Sequence, residues 1–585
     1  MAGVSRASRL TGAAIAVLAV LVTGGCGRTV DSAAAPAAAP GPSSASPSAS
    51  PTAAPTPSLG QAARPEERAR ALAARLGDED LVGQVLMPYA YGHSATEVAA
   101  PNAQGNQALA GVDTPAEMIA KYRLGGLILV GFAPDDPTGR NQPTTNVEGA
   151  GQVRELTAGL QAANAQLPAG AAPLLIGTDQ EYGIVTRIKD RVTPLPSAMA
   201  FGAAGAPALT ERAWRAAGTE LAALGVNVDF APVADVLGPG SVLGSRSYGA
   251  DPRAVAAQVG GAVRGLQGAG VAATLKHFPG HGHTAADSHE NLPVLSQPRA
   301  AVDAADLPPF AAGIRAGAGL VMSGHLDVRA IDPGTPATFS RKVLTDLLRG
   351  QLRFTGVVVT DAMNMPPARQ YPPGEAAVRA VLAGNDLVLM PPDLAAAHAG
   401  LLAALRDGRL PRAQLVESVT RVLTLKYRLA ARPAPAMSVL GGPAHREAVS
   451  RVATAAVTVL RGPCGGAAVA GPVTVTASAG RNAAVVTLVA ALRAAGVRVV
   501  PQGGRVVHLV GYGDGAADLR AGAAVTVAMD TPYVLGRSRS PVLLATYSSS
   551  PPAISALAAV LAGRAKPTGR SPVPVTGLPP SACAR

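Results

Sequence analysis

Eight short apolar runs, each separated from the next by a helical stretch, predict an α/β protein: a (β/α)8, TIM-type barrel followed by a smaller α/β sandwich. Three observations carry this expectation. The runs Val82–Met87, Gly126–Val130, Leu174–Gly177, Val226–Phe230, Val271–Leu275, Leu320–Met322, Val357–Val359 and Leu387–Met390 have the length and character of buried parallel strands. Titratable groups gather just past the ends of these runs, as Asp179 and Glu181, Asp235, His325 with Asp327, and Asp361. At 585 residues the chain is also too long for a single core.

The elements follow in order. Arg6 and Arg9 precede an apolar run, Ala13–Val22, that is too short to span a bilayer and reads as the core of a signal peptide over residues 1–26. Small residues leading into Cys26 resemble a bacterial lipobox, with Thr23 standing where Leu is usual. Cleavage there would leave Cys26 lipidated; the alternative is ordinary secretion with cleavage nearby. Residues 27–61 are Ala/Ser/Pro/Thr-rich and cannot bury a core, so they read as a spacer that holds a folded body away from a membrane. The barrel is expected over 62–431, from an opening helix near Pro65–Leu76 to a closing helix at Leu415–Leu429. Between them, Ala208–Leu224 and Pro252–Ala269 read as helices. A linker over 432–443 contains Arg432-Pro433-Ala434-Pro435. The sandwich follows over 444–585, with strands at Ala456–Leu460, Val473–Thr476, Val506–Val510, Val525–Met529 and Val542–Thr546.

Composition excludes some classes. The positive mean hydropathy comes mainly from Ala and Val, and only 3% of residues are aromatic. The formal charge of +12 is Arg-rich and spread along the chain, without the aromatic-interleaved basic motif of a nucleic-acid binder. It reads as a solvated surface, or as a weak attraction to anionic wall polymers. Cys464 and Cys583 near the two ends of the sandwich either form a disulfide in an oxidising setting or remain two thiols.

The densest chemistry lies in Lys276-His277-Phe278-Pro279-Gly280-His281-Gly282-His283 and the following Asp287-Ser288-His289, which hold four of the nine histidines. Imidazole titrates nearest neutral pH, so the cluster suits proton transfer or metal binding. It follows an apolar run directly and sits in a Gly/Pro-rich loop, where such a fold keeps its chemistry. Asp361 ends another apolar run, aimed at the barrel mouth. Taken alone, it also reads as the N-cap of a helix beginning near Asn364.

These residues carry a resemblance. The block Lys276–Gly282 with Asp287-Ser288-His289 and Pro293 resembles the signature loop of family 3 glycoside hydrolases, in the β-N-acetylhexosaminidase branch. Asp179-Gln180-Glu181, Phe230–Val236, Ser245-Arg246-Ser247-Tyr248-Gly249, Pro336–Ser340 and Gly356–Met363 resemble further motifs of that family. Thr531-Pro532-Tyr533 and Pro567–Arg570 are similar to its second domain. The resemblance implies a retaining glycosidase acting on terminal β-linked N-acetylglucosamine. Asp361 would be its nucleophile, and His289 its acid/base with Asp287 as partner, in place of the usual second carboxylate about 5 Å away. It assigns Lys276, His277 and Arg246 to the hydroxyl and N-acetyl contacts of the sugar and Asp179 to its outer hydroxyls, with Arg187 beside them. Asp235 is left between strand packing and binding. Tyr182, where the family carries Gly, departs from the pattern and bears on the pocket's shape; His283 is an extra loop histidine.

No cofactor and no metal are implied. The expected partner is an N-acetylglucosamine-containing oligosaccharide or muropeptide, met by an exported, lipid-anchored monomer that binds no nucleic acid. Three rivals differ in kind: a zinc site built from the loop histidines, a phosphorylase resolving the same intermediate with phosphate, and a non-catalytic wall-binding lipoprotein. The family's β-glucosidase branch takes its acid/base from the second domain and lacks the Asp-Ser-His loop.

Overall fold

The computed structural model describes residues 64–131, 144, 146–170 and 172–583. The expected signal segment, Cys26 and the expected spacer lie outside the described residues. Eight parallel strands run in chain order: β1 (Leu86–Met87), β2 (Gly126–Leu129), β3 (Leu175–Thr178), β4 (Val228–Asp229), β5 (Ala272–Phe278), β6 (Leu320–Ser323), β7 (Val357–Thr360) and β8 (Val388–Leu389). Strands β2 to β7 pair in sequence as one sheet. Single-residue bridges Val359↔Leu387 and Tyr89↔Ile128, with the β1–β8 pair, complete the ring. Every strand residue of the ring is buried, as expected for strands covered on both faces.

Helices follow each strand. Pro207–Ala223 buries Thr210, Ala213, Trp214, Ala217 and Leu221, a 3.6-residue stripe that packs on Pro252–Ala269. The second helix starts at an Asp251 cap, whose side chain accepts from Ala254 N. The two backbones meet at Gly265, where a Cβ would come within 2.6 Å of Glu211 O.

One expectation fails. Val82–Gln84 is the end of a helix, Asp78–Gln84, and only Leu86–Met87 of that apolar run is strand. The acidic start Asp78-Glu79-Asp80 favours the positive end of a helix, and this local signal prevails over the apolar run.

The C-terminal sandwich has strands β9 (Thr458–Arg461), β10 (Val473–Ala477), β11 (Arg505–Val510), β12 (Val525–Ala528) and β13 (Val542–Ala545), in the order β9-β13-β12-β11-β10 with only β9–β13 antiparallel. Strand alternation divides its two faces. Val507, Leu509, Val525, Val527, Val542 and Leu544 face a core shared with Leu488, Leu492 and Leu557 of the helices Asn482–Ala494 and Pro551–Leu561. Val510, Ala528, Leu543 and Ala545 face the other way, onto Met199, Ala200, Ala203, Leu237 and Leu243 of the barrel. The barrel itself therefore forms one layer over this sheet. Backbone bonds Ala250 N to Pro572 O and Arg570 N to Ala203 O, both 3.0 Å, and the Ser197 hydroxyl on Tyr547 O cross the same joint. Cys464 and Cys583 are joined as a disulfide.

Candidate active site

The mouth of the barrel, at the strand C-termini, holds a cavity of about 290 Å³. Asp179, Arg187, Arg246, Lys276, His277, His289 and Asp361 all line it. Of the eight expected catalytic and sugar-binding residues, only Asp287 stands back from this wall, behind His289.

Two neighbours on β5, Lys276 and His277, both reach the cavity, although strand alternation would point them to opposite faces. A bulge explains this: β5 pairs with β6 at Leu275↔Val321 and Phe278↔Ser323, so it carries one extra residue there. The Lys276–His277 peptide is cis. The fully buried Asp235 accepts from His277 N at 3.1 Å, takes Nδ1 of the same ring at 2.8 Å and accepts from His281 N at 2.7 Å. Of the two roles left open for Asp235, the geometry gives the structural one: it orients His277 and the loop. A Cβ at Gly282 would lie 1.9 Å from Val236 O, so glycine alone lets the loop pass that close.

After β3, Asp179 and Glu181 point into the mouth, while Gln180 between them points away. Gln180 accepts from Arg187 N and Ile188 N, each at 3.0 Å, and donates to Ile188 O at 2.8 Å. That clasp fixes the turn carrying Arg187. Lys276 Nζ lies 2.7 Å from Asp179 Oδ1 and 2.6 Å from Glu181 Oε1. Burial alone would raise the Glu181 carboxyl, but Arg246 and Lys276 hold it well below the usual range. Burial likewise works against the charge on Lys276, and Asp179 and Glu181 reverse it, so its pKa is raised. The cations that would grip sugar hydroxyls thus stay charged. Glu181, noted in the sequence as a strand-end charge and a member of the Asp179-Gln180-Glu181 motif but given no role there, is the hub of this cluster. Its signal was present: it stands two residues after Asp179 and so shares its face.

Tyr182 does not shape the pocket. It is buried away from the cavity, its ring 5.8 Å from that of Trp214 in a T-shaped contact. Its φ of +64° is the left-handed conformation that glycine adopts freely, which accounts for a family glycine at this position.

Asp361 ends β7 with Oδ1 accepting from Ala362 N at 2.8 Å, which leaves Oδ2 to the cavity. No α-helix starts there; a short 3-10 turn follows at Pro366–Gln370, so the N-cap reading falls. Burial pushes the carboxyl up, but His277, His325 and the Ala362 N–H outweigh it and the pKa is lowered, as an anionic nucleophile needs. His325 Nε2–H donates to Ala362 O at 3.0 Å and its Nδ1 meets Thr338 Oγ1 at 2.8 Å, so it braces the residue that follows Asp361.

His289 Nδ1 meets Asp287 Oδ1 at 2.8 Å, and His289 N donates to the same oxygen at 2.8 Å. The hydrogen bonds from His289 hold Asp287 far below the usual carboxylate range. It therefore accepts from Nδ1–H and leaves Nε2 to exchange a proton with a ligand. His283 is held apart, its Nδ1 2.7 Å from Asp306. Among the described residues no group of three or more His, Cys, Asp or Glu side chains is set to hold a metal ion.

The sandwich reaches this site. Ser245, beside Arg246, donates its hydroxyl to Asp530, and Leu243 packs in the joint core.

Comparison with known proteins identifies the family. Residues 82–425 match the model of the glycosyl hydrolase family 3 N-terminal domain. A beta-hexosaminidase A of Pseudoalteromonas piscicida is 35% identical over 377 residues, 59% of this chain and 61% of that protein, so the match spans about three fifths of the relative. A beta-hexosaminidase of Xanthomonas oryzae is 38% identical over 278 residues, 46% of this chain and 80% of its own. Among solved structures, a family 3 beta-N-acetylglucosaminidase from Paenibacillus sp. superposes with a TM-score of 0.73 at 33% identity, covering 86% of this chain and 99% of that one.

Proposed function

This chain belongs to glycosyl hydrolase family 3, and from that premise we propose that it is a retaining β-N-acetylhexosaminidase releasing terminal β-linked N-acetylglucosamine, with cell-wall fragments as its source of substrate. The observation that carries the reading is one cavity lined by an ionised strand-end carboxylate, Asp361, and by an imidazole, His289, whose far nitrogen is held by a second carboxylate. The names of the relatives support the N-acetyl sugar.

In this reading protonated His289 gives its Nε2 proton to the glycosidic oxygen while Asp361 Oδ2 attacks the anomeric carbon, forming a glycosyl ester and freeing the aglycone. Neutral His289 then takes a proton from water, whose oxygen attacks the same carbon and releases Asp361; two inversions give retention. Lys276, Arg246 and Asp179 hold hydroxyls as charge develops on the ring. The leader, Cys26 and the spacer support an exported, lipid-anchored placement, checked by whether a Cys26→Ser form leaves the membrane fraction.

The testing experiment compares nitrophenol release from the aryl β-N-acetylglucosaminide and the aryl β-glucoside, with and without chelator and phosphate. Chelator-insensitive preference for the N-acetyl sugar is expected. Acceleration by phosphate would make the enzyme a phosphorylase, loss of activity with chelator would make it a metal enzyme, and silence on both sugars would leave a binding protein.

A further inference from the structure

At the end of the barrel opposite the sugar cavity, where β5, β6 and β7 begin, lies a recess of about 490 Å³. Val271, Gly319 and Val357 line it at the starts of those strands, and Arg70, Arg353, Arg421, Arg428, Arg432 and Glu66 line it with charge. We propose that this recess seats the phosphodiester headgroups of an anionic phospholipid bilayer, so that the sugar cavity is turned away from the membrane. The inference rests on the exported, membrane-tethered reading of the leader.

Charge comes first. Arg421 is matched by Asp386 at 2.9 Å and Arg428 by Glu66. Arg432 Nη1 donates to a backbone carbonyl, Gly268 O, at 2.6 Å. Arg70 and Arg353 are exposed and make no side-chain hydrogen bond or ion pair among the described residues. Three guanidinium groups of one recess are therefore without a carboxylate partner. Their planar forks match the oxygens of a phosphate group.

Place comes second. Glu66 and Arg70 belong to Pro65–Ala73, the first helix of the described body, so the chain that carries Cys26 joins the barrel at this face. A tether at one point limits distance from the membrane and leaves orientation free. A basic patch beside the point of attachment supplies the second contact, and an acyl signal with such a patch holds better than either alone.

Third, the lining is not polar throughout. Half-buried Ile314 and Leu429 add apolar surface, which a free phosphate has no use for and the glycerol ester region of a lipid does.

The test uses the exported chain carrying Cys26→Ser, so that no acyl chain holds it, with phosphatidylcholine vesicles prepared with and without phosphatidylglycerol. Co-sedimentation should require phosphatidylglycerol and fade as sodium chloride is added. In the double variant Arg70→Gln, Arg353→Gln the partition coefficient should fall about twentyfold, roughly fivefold for each charge, while the rate on an aryl glycoside stays the same. The double variant Arg498→Gln, Arg520→Gln removes the same charge from exposed positions of the sandwich and should bind as the unaltered chain does. Equal losses in the two double variants, or no gain from phosphatidylglycerol, overturn the proposal. So does displacement by inorganic phosphate at matched ionic strength, which would make the recess a site for free phosphate. Failure of the tether shows separately, because a chain with Cys26 intact would then wash off membranes in salt.

Discussion

Glu181 binds Arg246 through both carboxylate oxygens, Oε2 to Nε and Oε1 to Nη2, each at 2.8 Å. With Lys276 Nζ also on Oε1, one buried carboxylate serves two buried cations. Glu181→Gln would leave Arg246 without its fork-matched partner and Lys276 with Asp179 alone. Removing one partner of a buried pair costs roughly 3–5 kcal/mol, so the midpoint of unfolding should drop clearly. The kcat/KM for an aryl N-acetylglucosaminide should fall by about two orders of magnitude. Denaturant unfolding with steady-state kinetics checks both; an unaltered midpoint would mean the pair is not the anchor it looks to be.

Asp361→Asn keeps the shape of the carboxylate and its bond from Ala362 but removes the charge that attacks in the proposed mechanism. Turnover should fall by more than about a thousandfold while far-UV circular dichroism stays the same. On the proposed mechanism His289→Ala removes the proton donor, a loss worth about 10²–10⁴, and only substrates that need the proton should feel it in full. The β-linked N-acetylglucosamine disaccharide should suffer most and an activated dinitrophenyl glycoside least. Equal losses on both would argue that His289 does not protonate the leaving group.

The barrel and sandwich strands were legible because buried strands are written as unbroken apolar runs, and most begin or end within two residues of the expected place. The first run misled because Val82 also falls inside a short helix opened by the acidic turn Asp78-Glu79-Asp80. At the site, residues local to one strand end or one loop could be read: Asp361, and Asp287 with His289. Glu181's partnership with Arg246 joins residues 65 apart in sequence, and the Ser245–Asp530 bond joins residues 285 apart. Nothing local announces such pairs, since either member alone is an ordinary surface residue type.

Stability should decline in mild acid through His281. Burial first, and then the nearby charge of His277, push its pKa down to about 4, and its Nδ1 has no hydrogen-bond partner. Between the ordinary value near 6.5 and about 4 the unfolded chain binds a proton that the folded chain refuses, so stability present above this window is lost as pH falls through it. From about pH 7 to pH 5 the loss is about 2 kcal/mol. Glu181, also depressed in the fold, adds a further loss of the same sign below the usual glutamate range. His283, raised by its bond to Asp306, and Asp306, raised by burial, act the other way and offset part of the decline. His281→Asn should reduce the slope between those two pH values, leaving the part due to His325 and His398, whose pKa values burial also lowers. A wild-type profile already flat there would show that His281 is not held neutral.

The Cys464–Cys583 disulfide should set the temperature at which activity is lost without setting the rate below it. It closes a span of 119 residues, and constraining so long a loop in the unfolded chain is worth about 4–5 kcal/mol on an entropic model, with about 2–5 kcal/mol found on removing native bridges. Cys583 is buried against the sandwich core and Cys464 is exposed, so reductant can reach the bond from one side. Neither cysteine lines the cavity. Cys464→Ser, or dithiothreitol, should therefore leave the initial rate on an aryl glycoside at 25 °C unchanged while lowering the melting temperature of the sandwich. Because the sandwich holds Ser245, and through it the turn of Arg246, the temperature of inactivation should fall with it. If the sandwich melts early while activity persists, the Ser245–Asp530 tie is dispensable and the barrel holds Arg246 by itself.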